Sequence, residues 1–143
     1  MNYLWLIFGL LSALFASLVA IFGKIGLKGI DTNVATAIRA VIMAAFLIIV
    51  VAFQGRLSKV SDVLADKKAI LFIVLSGVAG ALSWLFYFLA LKNGKVQQVA
   101  PIDRLSVVFA IVLAAIFLGE KVSFYTAIGV LLIAAGSIFV ALG

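Results

Sequence analysis

Residues 99–121 read VAPIDRLSVVFAIVLAAIFLGEK and contain the one proline of the chain, Pro101, close to an adjacent charge pair, Asp103 and Arg104. Fourteen uncharged residues, 105–118, follow the pair. Together with residues 96–104, this run reaches the length of about 20 residues that a membrane-spanning helix needs. Ionisable side chains inside such a helix are costly, and they usually face a protein interior or a solute pathway. The stretch therefore predicts a spanning helix with a functional candidate near its start.

The composition of the whole chain also favours a membrane location. Of the 143 residues, 67% are hydrophobic and 11% are charged, and the mean hydropathy is +1.39. A globular domain of this size buries only part of its surface, so it cannot hide this much apolar side chain, whereas a bilayer can solvate it. We predict an all-α polytopic membrane protein in the cell membrane, which in a prokaryote is the inner or plasma membrane.

Several classes of function are disfavoured by the residues that the sequence lacks. It has no cysteine and no histidine, which excludes disulfides, thiolate or imidazole metal sites and histidine-based catalysis. No nucleophile–base set is evident, so we do not expect an enzyme, and we expect no cofactor. The net charge of +6 comes from lysines and arginines scattered through short connections. Charges placed in this way favour contacts with membrane lipids over nucleic acid.

Five segments are long and apolar enough to cross the hydrocarbon core, which needs about 20 helical residues. We place them at residues 3–22, 32–53, 69–91, 96–118 and 123–142, within a single domain that covers residues 1–143. An Asp-Thr-Asn sequence at positions 31–33 is a typical helix N-cap for the second segment. Residues 54–68 mix apolar and charged side chains, which indicates a short amphipathic turn at the membrane interface.

The position of the charge pair depends on where the fourth helix begins. If the helix begins at Val96, Asp103 lies seven residues inside it, about 10 Å from its start. If it begins at Pro101, Asp103 lies in the first turn, where a carboxylate suits the helix dipole, and Arg104 reaches the headgroups. Residues 101–119 still span about 28 Å, which is enough to cross. The sequence leaves both alternatives open.

Arg39 lies at a comparable depth in the second segment, seven residues after its start. Its long side chain either reaches the headgroups or pairs within the protein. Because the second and fourth segments enter from the same side, a buried Arg39–Asp103 pair is one hypothesis. In that case Asp103 is the acid available for proton coupling, and Arg39 or Arg104 neutralises it or binds a substrate anion.

Other polar and aromatic side chains complete a candidate cavity for a small-molecule substrate. Trp84 and Tyr87 offer rings that can stack on a flat or cationic ligand, although such aromatics are also ordinary packing or interface residues. Ser83 lies in a stripe of small residues, and such stripes serve either close helix packing or a small-walled cavity. The full candidate set is Arg39, Ser83, Trp84, Tyr87, Gln97, Asp103 and Arg104.

The distribution of positive charge predicts no clear orientation. One side of the membrane receives six lysines and arginines and the other five, or four against five if the helix-end arginines Arg39 and Arg104 are left out. One possibility is that a feature other than charge sets the orientation. The other is that the chain inserts both ways and forms an antiparallel homodimer. Since five helices is an odd number, such a dimer would rebuild the ten-helix inverted repeat of many transporters.

Specific motifs resemble those of the EamA-like drug/metabolite transporter superfamily. The matching pieces are VAPI at 99–102, SVVFA at 106–110, GE at 119–120 and IGVLLIAAGSIFVAL at 128–142. Gly80, Ser83, Tyr87 and the Ala-Leu pair at 90–91 are similar to the third helix of that family, and the lysine and arginine at positions 24 and 39 to its first loop and second helix. The resemblance covers nearly the whole chain as one five-helix repeat, where typical members carry two.

The resemblance implies a carrier with a central cavity and alternating access for small metabolites, amino acids or drugs. The chain is also similar to the smaller multidrug-resistance proteins, which work as antiparallel dimers but have four helices. The adjacent Asp103 and Arg104 are unusual for the EamA pattern. We therefore predict a secondary carrier of a small organic solute that works as a homodimer. The alternatives are a half-size subunit of a heterodimeric lipid-carrier flippase, and a non-transporting accessory membrane protein.

Overall fold

A computed structural model describes residues 3–143, and they form an all-α fold without a strand in that range. Seven α-helices and one π-helical segment make up this described part of the chain. Their bounds are α1 Leu4–Gly26, α2 Thr32–Phe53, α3 Lys59–Ala65, α4 Lys67–Asn93, α5 Val96–Asp103, α6 Leu105–Leu113, the π segment Ala114–Leu118 and α7 Phe124–Leu142.

Five helical stretches of the described chain are long and apolar enough to cross a membrane, as the sequence predicts. They are α1, α2, α4, α7 and the combined stretch Val96–Leu118, which contains α5, α6 and the π segment. Most of their large apolar side chains are exposed on the surface of the chain. That pattern suits a protein whose solvent is lipid. The fold is that of an all-α polytopic membrane protein.

Short polar side chains determine where three of the helices begin. Asp31 accepts hydrogen bonds from the backbone N–H groups of Asn33 and Val34 at 2.9 and 3.0 Å, so the predicted N-cap of α2 is confirmed. Asp66 accepts from two N–H groups at the start of α4 in the same way, at 3.0 Å each. The hydroxyl of Ser123 accepts from Thr126 N at the start of α7. Each cap satisfies donors that a helix start leaves unpaired.

The chain divides into two compact units, of which the first contains α2, α3 and α4 and covers Gly26–Lys92. The seven-residue helix α3 occupies the stretch in which we predicted a short amphipathic turn. Phe88 on α4 is 3% exposed and lies among the few buried apolar residues of the described chain. Thr36 on α2 is also buried, and its hydroxyl donates to the carbonyl oxygen of Thr32 at 2.7 Å. That internal bond lets a polar residue occupy a buried helix face.

Of the described residues, the second unit contains 3–25 and Asn93–Gly143, and so holds nearly all of α1 together with α5, α6, the π segment and α7. Within it α7 packs against both α5 and α6. The side chain of Lys24 donates from Nζ to the carbonyl oxygen of Gly94 at 2.7 Å. This bond ties the last turn of α1 to the connection before α5. α1 itself continues to Gly26, four residues past the end that the sequence predicts.

The fourth spanning stretch begins at Val96, so the alternative start at Pro101 is wrong. The backbone N–H of Lys95 donates to Oε1 of Gln98 at 3.2 Å, and the N–H groups of Gln98 and Val99 both bond to the carbonyl of Lys95. These contacts form the first turn of a helix that begins five residues before the proline. Pro101 is therefore inside α5, where its ring has no N–H to offer the carbonyl four residues back.

Two irregularities interrupt this stretch, although the sequence predicts one continuous helix. α5 ends at Asp103, and the N–H of Arg104 bonds to the carbonyls of both Ala100 and Pro101 at 3.3 and 3.1 Å. Sharing of one N–H between two carbonyls is typical of a helix end. After α6 the helix widens into the π segment. The helical stretch ends at Gly119, whose φ of 68° is left-handed. Pro101 lies two residues before the first irregularity, and Gly119 supplies the left-handed residue that ends the stretch.

Candidate functional site

Arg39 is the charged side chain that lies deepest within α2. It follows the first residue of that helix, Thr32, by seven positions, or about 10 Å of helix rise. The side chain is half-buried. A guanidinium group remains charged in proteins, and a charge inside a spanning helix needs favourable contacts to offset its lost hydration.

Aromatic rings of α4 supply those contacts. The central carbon of the Arg39 guanidinium lies 3.5 Å from the centroid of the Trp84 ring and 4.7 Å from that of Phe88. Both distances are within the range of cation–π attraction. Tyr87 extends the cluster, with its ring centroid 5.7 Å from Trp84 in an edge-to-face arrangement. Positions 84, 87 and 88 share one helix face because they are spaced by three and four residues.

One hydrogen-bond donor of Arg39 is unused in this arrangement. Its Nε atom is buried and finds no hydrogen-bond acceptor among residues 3–143. Stacking on a ring engages a face of the guanidinium group and leaves the N–H bonds, which point outward in its plane, to find other partners. A buried donor without an acceptor costs about 1–3 kcal/mol, and more for a charged group. Arg39 is thus held by rings but is not paired through its Nε–H.

A cavity of about 550 Å³ adjoins this cluster and is lined by α2 and α4. Arg39 is the one charged residue among the described residues that line it. The remaining lining is mostly small or aliphatic, and includes Ala40, Met43, Leu47, Gly77, Gly80 and Ala81. An apolar concavity with a few polar groups, in this range of volume, is typical of sites for small molecules.

Asn33, Thr36 and Trp84 supply the other polar groups of the lining. Trp84 offers an indole N–H, which can only donate, and Asn33 offers an amide that donates and accepts. The hydroxyl proton of Thr36 is already used by the carbonyl of Thr32. No aspartate or glutamate is part of the lining as far as the structure describes it. Hydrogen-bond donors therefore exceed acceptors in the cavity.

Asp31 lies outside the spanning part of α2, at its N-terminal end. The N–H groups of Val34 and Asn33 donate to its carboxylate and hold its pKa below the usual range, and the nearby charge of Lys92 acts in the same direction. The group is ionised at neutral pH. Its role in the structure is that of a cap, and the bonds that satisfy it are local.

Four of the predicted site residues lie in the unit Gly26–Lys92. The structure brings Arg39, Trp84 and Tyr87 into one cluster, and two of these, Arg39 and Trp84, line the cavity. The sequence leaves open whether Trp84 stacks on a ligand or packs within the protein, and the structure places Arg39 of the same chain against that ring. Ser83 is exposed and is not part of the cavity lining.

The other three predicted residues lie in the unit that contains α5. Gln97 is the second residue of α5 and is exposed, and Asp103 is its last residue and is half-buried. Arg104 is exposed and forms the junction between α5 and α6. The structure thus places the charge pair at an interruption of the helix. The roles predicted for these three residues, and the Arg39–Asp103 pair, stay predictions.

Phe88, Thr36 and Met43 belong to the cluster or the cavity and were missed in the sequence. The signal for Phe88 was its spacing of four residues from Trp84, which places the two rings on one face. Thr36 and Met43 stand three residues before and four residues after Arg39, so they share its face of α2. Residues that share a helix face with an intramembrane charge are therefore the ones to examine as further site candidates.

The fold and the cavity define a class, that of polytopic α-helical membrane proteins with a small-molecule-sized cavity between spanning helices. A comparison with known families makes this specific, because the model of the EamA-like transporter family matches residues 3–142. The chain belongs to that family. It is also 41% identical over 141 residues, 99% of both chains, to a protein of Sinorhizobium sp named "Uncharacterized transporter in cobO 3'region". No solved structure matches the chain.

Proposed function

We propose that this protein is a secondary carrier that moves a small organic solute across the cell membrane, with the cavity between α2 and α4 as part of its solute path. The observation that carries the proposal is the combination of an intramembrane charge with an adjoining cavity of about 550 Å³. Ionisable residues inside spanning segments are expensive and typically mark substrate or ion pathways. Membership of the EamA-like transporter family supports the same function.

The proposed mechanism is alternating access by an antiparallel homodimer. Five spanning helices per chain and the near balance of positive charge support an assembly in which two copies have opposite orientations. Asp103 is proposed as the coupling acid, because it is a half-buried carboxylate inside a spanning stretch. Tags at both termini test the assembly. A mixed population of orientations is expected, and one fixed orientation would contradict a dual-topology homodimer.

The carrier function is tested with vesicles that contain this chain as their only protein. Uptake of labelled benzoate, phenylalanine and tetraphenylphosphonium samples three charge classes of small solute. We expect saturable flux of at least one of them above the level of empty vesicles. If none of the three shows saturable flux, the self-sufficient carrier is contradicted, and a heterodimeric subunit or an accessory protein becomes the better interpretation.

A matched pair of glycine variants links the flux to the cavity. Gly80 lines the cavity and Gly129 lies in α7, and an added Cβ at either position meets no other atom within 4 Å. Gly80→Leu fills part of the cavity, so we expect flux to fall to nearly that of empty vesicles. Gly129→Leu adds the same side chain outside the cavity and is expected to retain flux. Equal flux in the two variants would contradict a solute path through this cavity.

A further inference from the structure

We infer that the cavity between α2 and α4 is an anion site, which binds a carboxylate or phosphate group on a small apolar body through Arg39. The inference concerns the ligand class of the site, and its biological use rests on the proposed carrier function. The anion can belong to a free solute or to a lipid headgroup, because both present the same acceptor oxygens to a guanidinium group.

Charge balance is the first argument. Arg39 carries a full positive charge inside a spanning helix, and the described cavity lining contains no acidic side chain. Its close partners in this unit are the rings of Trp84 and Phe88, which attract a cation but carry no net charge. Among the described residues that line the cavity, none supplies a counter-charge to Arg39. An anionic ligand supplies the missing counter-charge at the lowest cost in hydration.

Hydrogen-bond geometry is the second argument. Nε of Arg39 is buried and has no acceptor among residues 3–143, and the ring of Trp84 covers one face of the guanidinium group. A carboxylate can accept from Nε–H and a neighbouring terminal N–H together, side by side in the guanidinium plane. The stack on Trp84 holds this plane in one orientation before the ligand arrives. Such preorganisation reduces the entropy that binding costs.

The other residues of the cavity lining indicate the size and polarity of the part of the ligand that carries the anionic group. Its aliphatic walls, formed by residues such as Met43, Leu47 and Ala81, favour an apolar body over a second charge. Its volume of about 550 Å³ admits a molecule of the size of an aromatic carboxylic acid. A compact organic monoanion fits both the charge and the walls better than a cation or a sugar does.

Trp84 provides a direct reporter of binding, since the chain has only two tryptophans, Trp5 and Trp84. In a Trp5→Phe background the full chain, purified in a neutral detergent, is titrated with benzoate while Trp84 fluorescence is recorded. Benzamide, which has the same shape without the charge, is the matched ligand control. We expect a saturable change with benzoate at an affinity about tenfold or more above that of benzamide. Equal affinity for the two would overturn the anion site.

Substitutions of Arg39 test whether the fluorescence change depends on this residue. Arg39→Gln is expected to abolish the difference between benzoate and benzamide. Arg39→Lys keeps the charge but lacks the fork of N–H donors, so we expect an affinity for benzoate about tenfold weaker. Arg56→Gln makes the same change in net charge in the turn after α2 and is expected to leave binding unchanged. If Arg39→Gln does not fold, the comparison of benzoate with benzamide in the Trp5→Phe protein still tests the inference.

A lipid arm identifies the source of the anion. The same protein is placed in vesicles of phosphatidylcholine alone and of phosphatidylcholine with phosphatidylglycerol. If phosphatidylglycerol changes Trp84 emission and competes with benzoate only when Arg39 is present, the site is an anion site occupied by a lipid headgroup. If benzoate binds equally well in both membranes, the site accepts a free solute. If neither anion produces an Arg39-dependent signal, the inference is wrong.

Binding and flux fail separately in this design. Arg39-dependent binding of benzoate without saturable flux of any solute would contradict the carrier function and retain the anion site. Saturable flux that is blocked by Gly80→Leu, in a protein without Arg39-dependent anion binding, would retain the carrier and contradict the anion site.

Discussion

Arg39 in α2 and the Asp103–Arg104 pair show two different ways of placing charge in a spanning helix. α2 runs without interruption from Thr32 to Phe53, and the guanidinium group of Arg39 stacks against rings on α4. The stretch Val96–Leu118 instead breaks at Asp103, and its charge pair stands where the helical ladder changes. One solution uses side chains of a neighbouring helix, and the other uses a change in the backbone.

This difference between the two regions suggests a different role for each of them. An unbroken helix with a stacked guanidinium group presents a donor to a ligand in a defined orientation. A helix with a proline inside it and a π segment near its end has backbone groups outside the regular pattern, which is common at bends and functional sites. We therefore expect ligand recognition to depend mainly on the first region, and the second to be sensitive to changes in backbone conformation.

The largest expected effect comes from separating Arg39 from Trp84. In a double-mutant cycle with Arg39→Met and Trp84→Leu, we expect a coupling of about 2 kcal/mol in the free energy of unfolding, because the pair is partly removed from water. Unfolding is followed by circular dichroism during denaturation in mixed micelles.

Trp5 provides the control for this cycle because it is 72% exposed on α1. A cycle of Arg39→Met with Trp5→Leu should give coupling near zero, since the effects of independent substitutions add. Coupling of the same size in both cycles would mean that the stack contributes nothing specific, and the contrast between the two regions would lose its energetic basis.

A smaller effect is expected at the end of the interrupted helix. Gly119 has a φ of +68°, which costs other residues about 1–2 kcal/mol, and an added Cβ meets no atom within 4 Å. Gly119→Ala should therefore destabilise the protein by about 1 kcal/mol through backbone conformation alone.

Gly129→Ala is the matched substitution inside the regular helix α7, where an added Cβ also meets no atom within 4 Å. There we expect stabilisation of up to about 1 kcal/mol, because alanine has the higher helix propensity. Thermal unfolding of the two variants in the same detergent compares them. Equal shifts in one direction would contradict the left-handed end of the π segment.

The smallest expected effect concerns the cap of the uninterrupted helix. Backbone donors lower the pKa of Asp31 in the folded chain. Its contribution to stability is then fully present above the pKa of the unfolded chain and is lost as the pH falls through the lower folded value. The unfolding midpoint should decline on acidification, and part of that decline should disappear in Asp31→Asn, which keeps a capping side chain without the charge. A pH profile unchanged by Asp31→Asn would contradict this contribution.

Much of the fold was predictable from the residues because the physical signals are local. Five apolar segments of spanning length and the cap at Asp31 need no tertiary information, and both were predicted correctly. The start of the fourth helix was ambiguous, because Pro101 suits either a first turn or a kink. The contacts of Lys95 with Gln98 and Val99 resolved it in favour of a start at Val96.

The candidate site was only partly predictable because it depends on contacts between helices. The sequence singles out Arg39 and Trp84 as unusual residues of spanning segments, but they are 45 positions apart and nothing local joins them. Phe88 looked like one apolar residue among many. Its ring becomes informative only because it lies 4.7 Å from the guanidinium group.

Composition and hydropathy were sufficient to establish a five-helix membrane protein, because the length and polarity of each segment decide whether it crosses a bilayer. Motif order was sufficient to indicate the family. The tertiary structure alone decided that Arg39 stacks on Trp84, that its Nε atom lacks an acceptor within residues 3–143, and that a cavity adjoins both. These features depend on how α2 and α4 face each other, and spacing along either helix does not encode that.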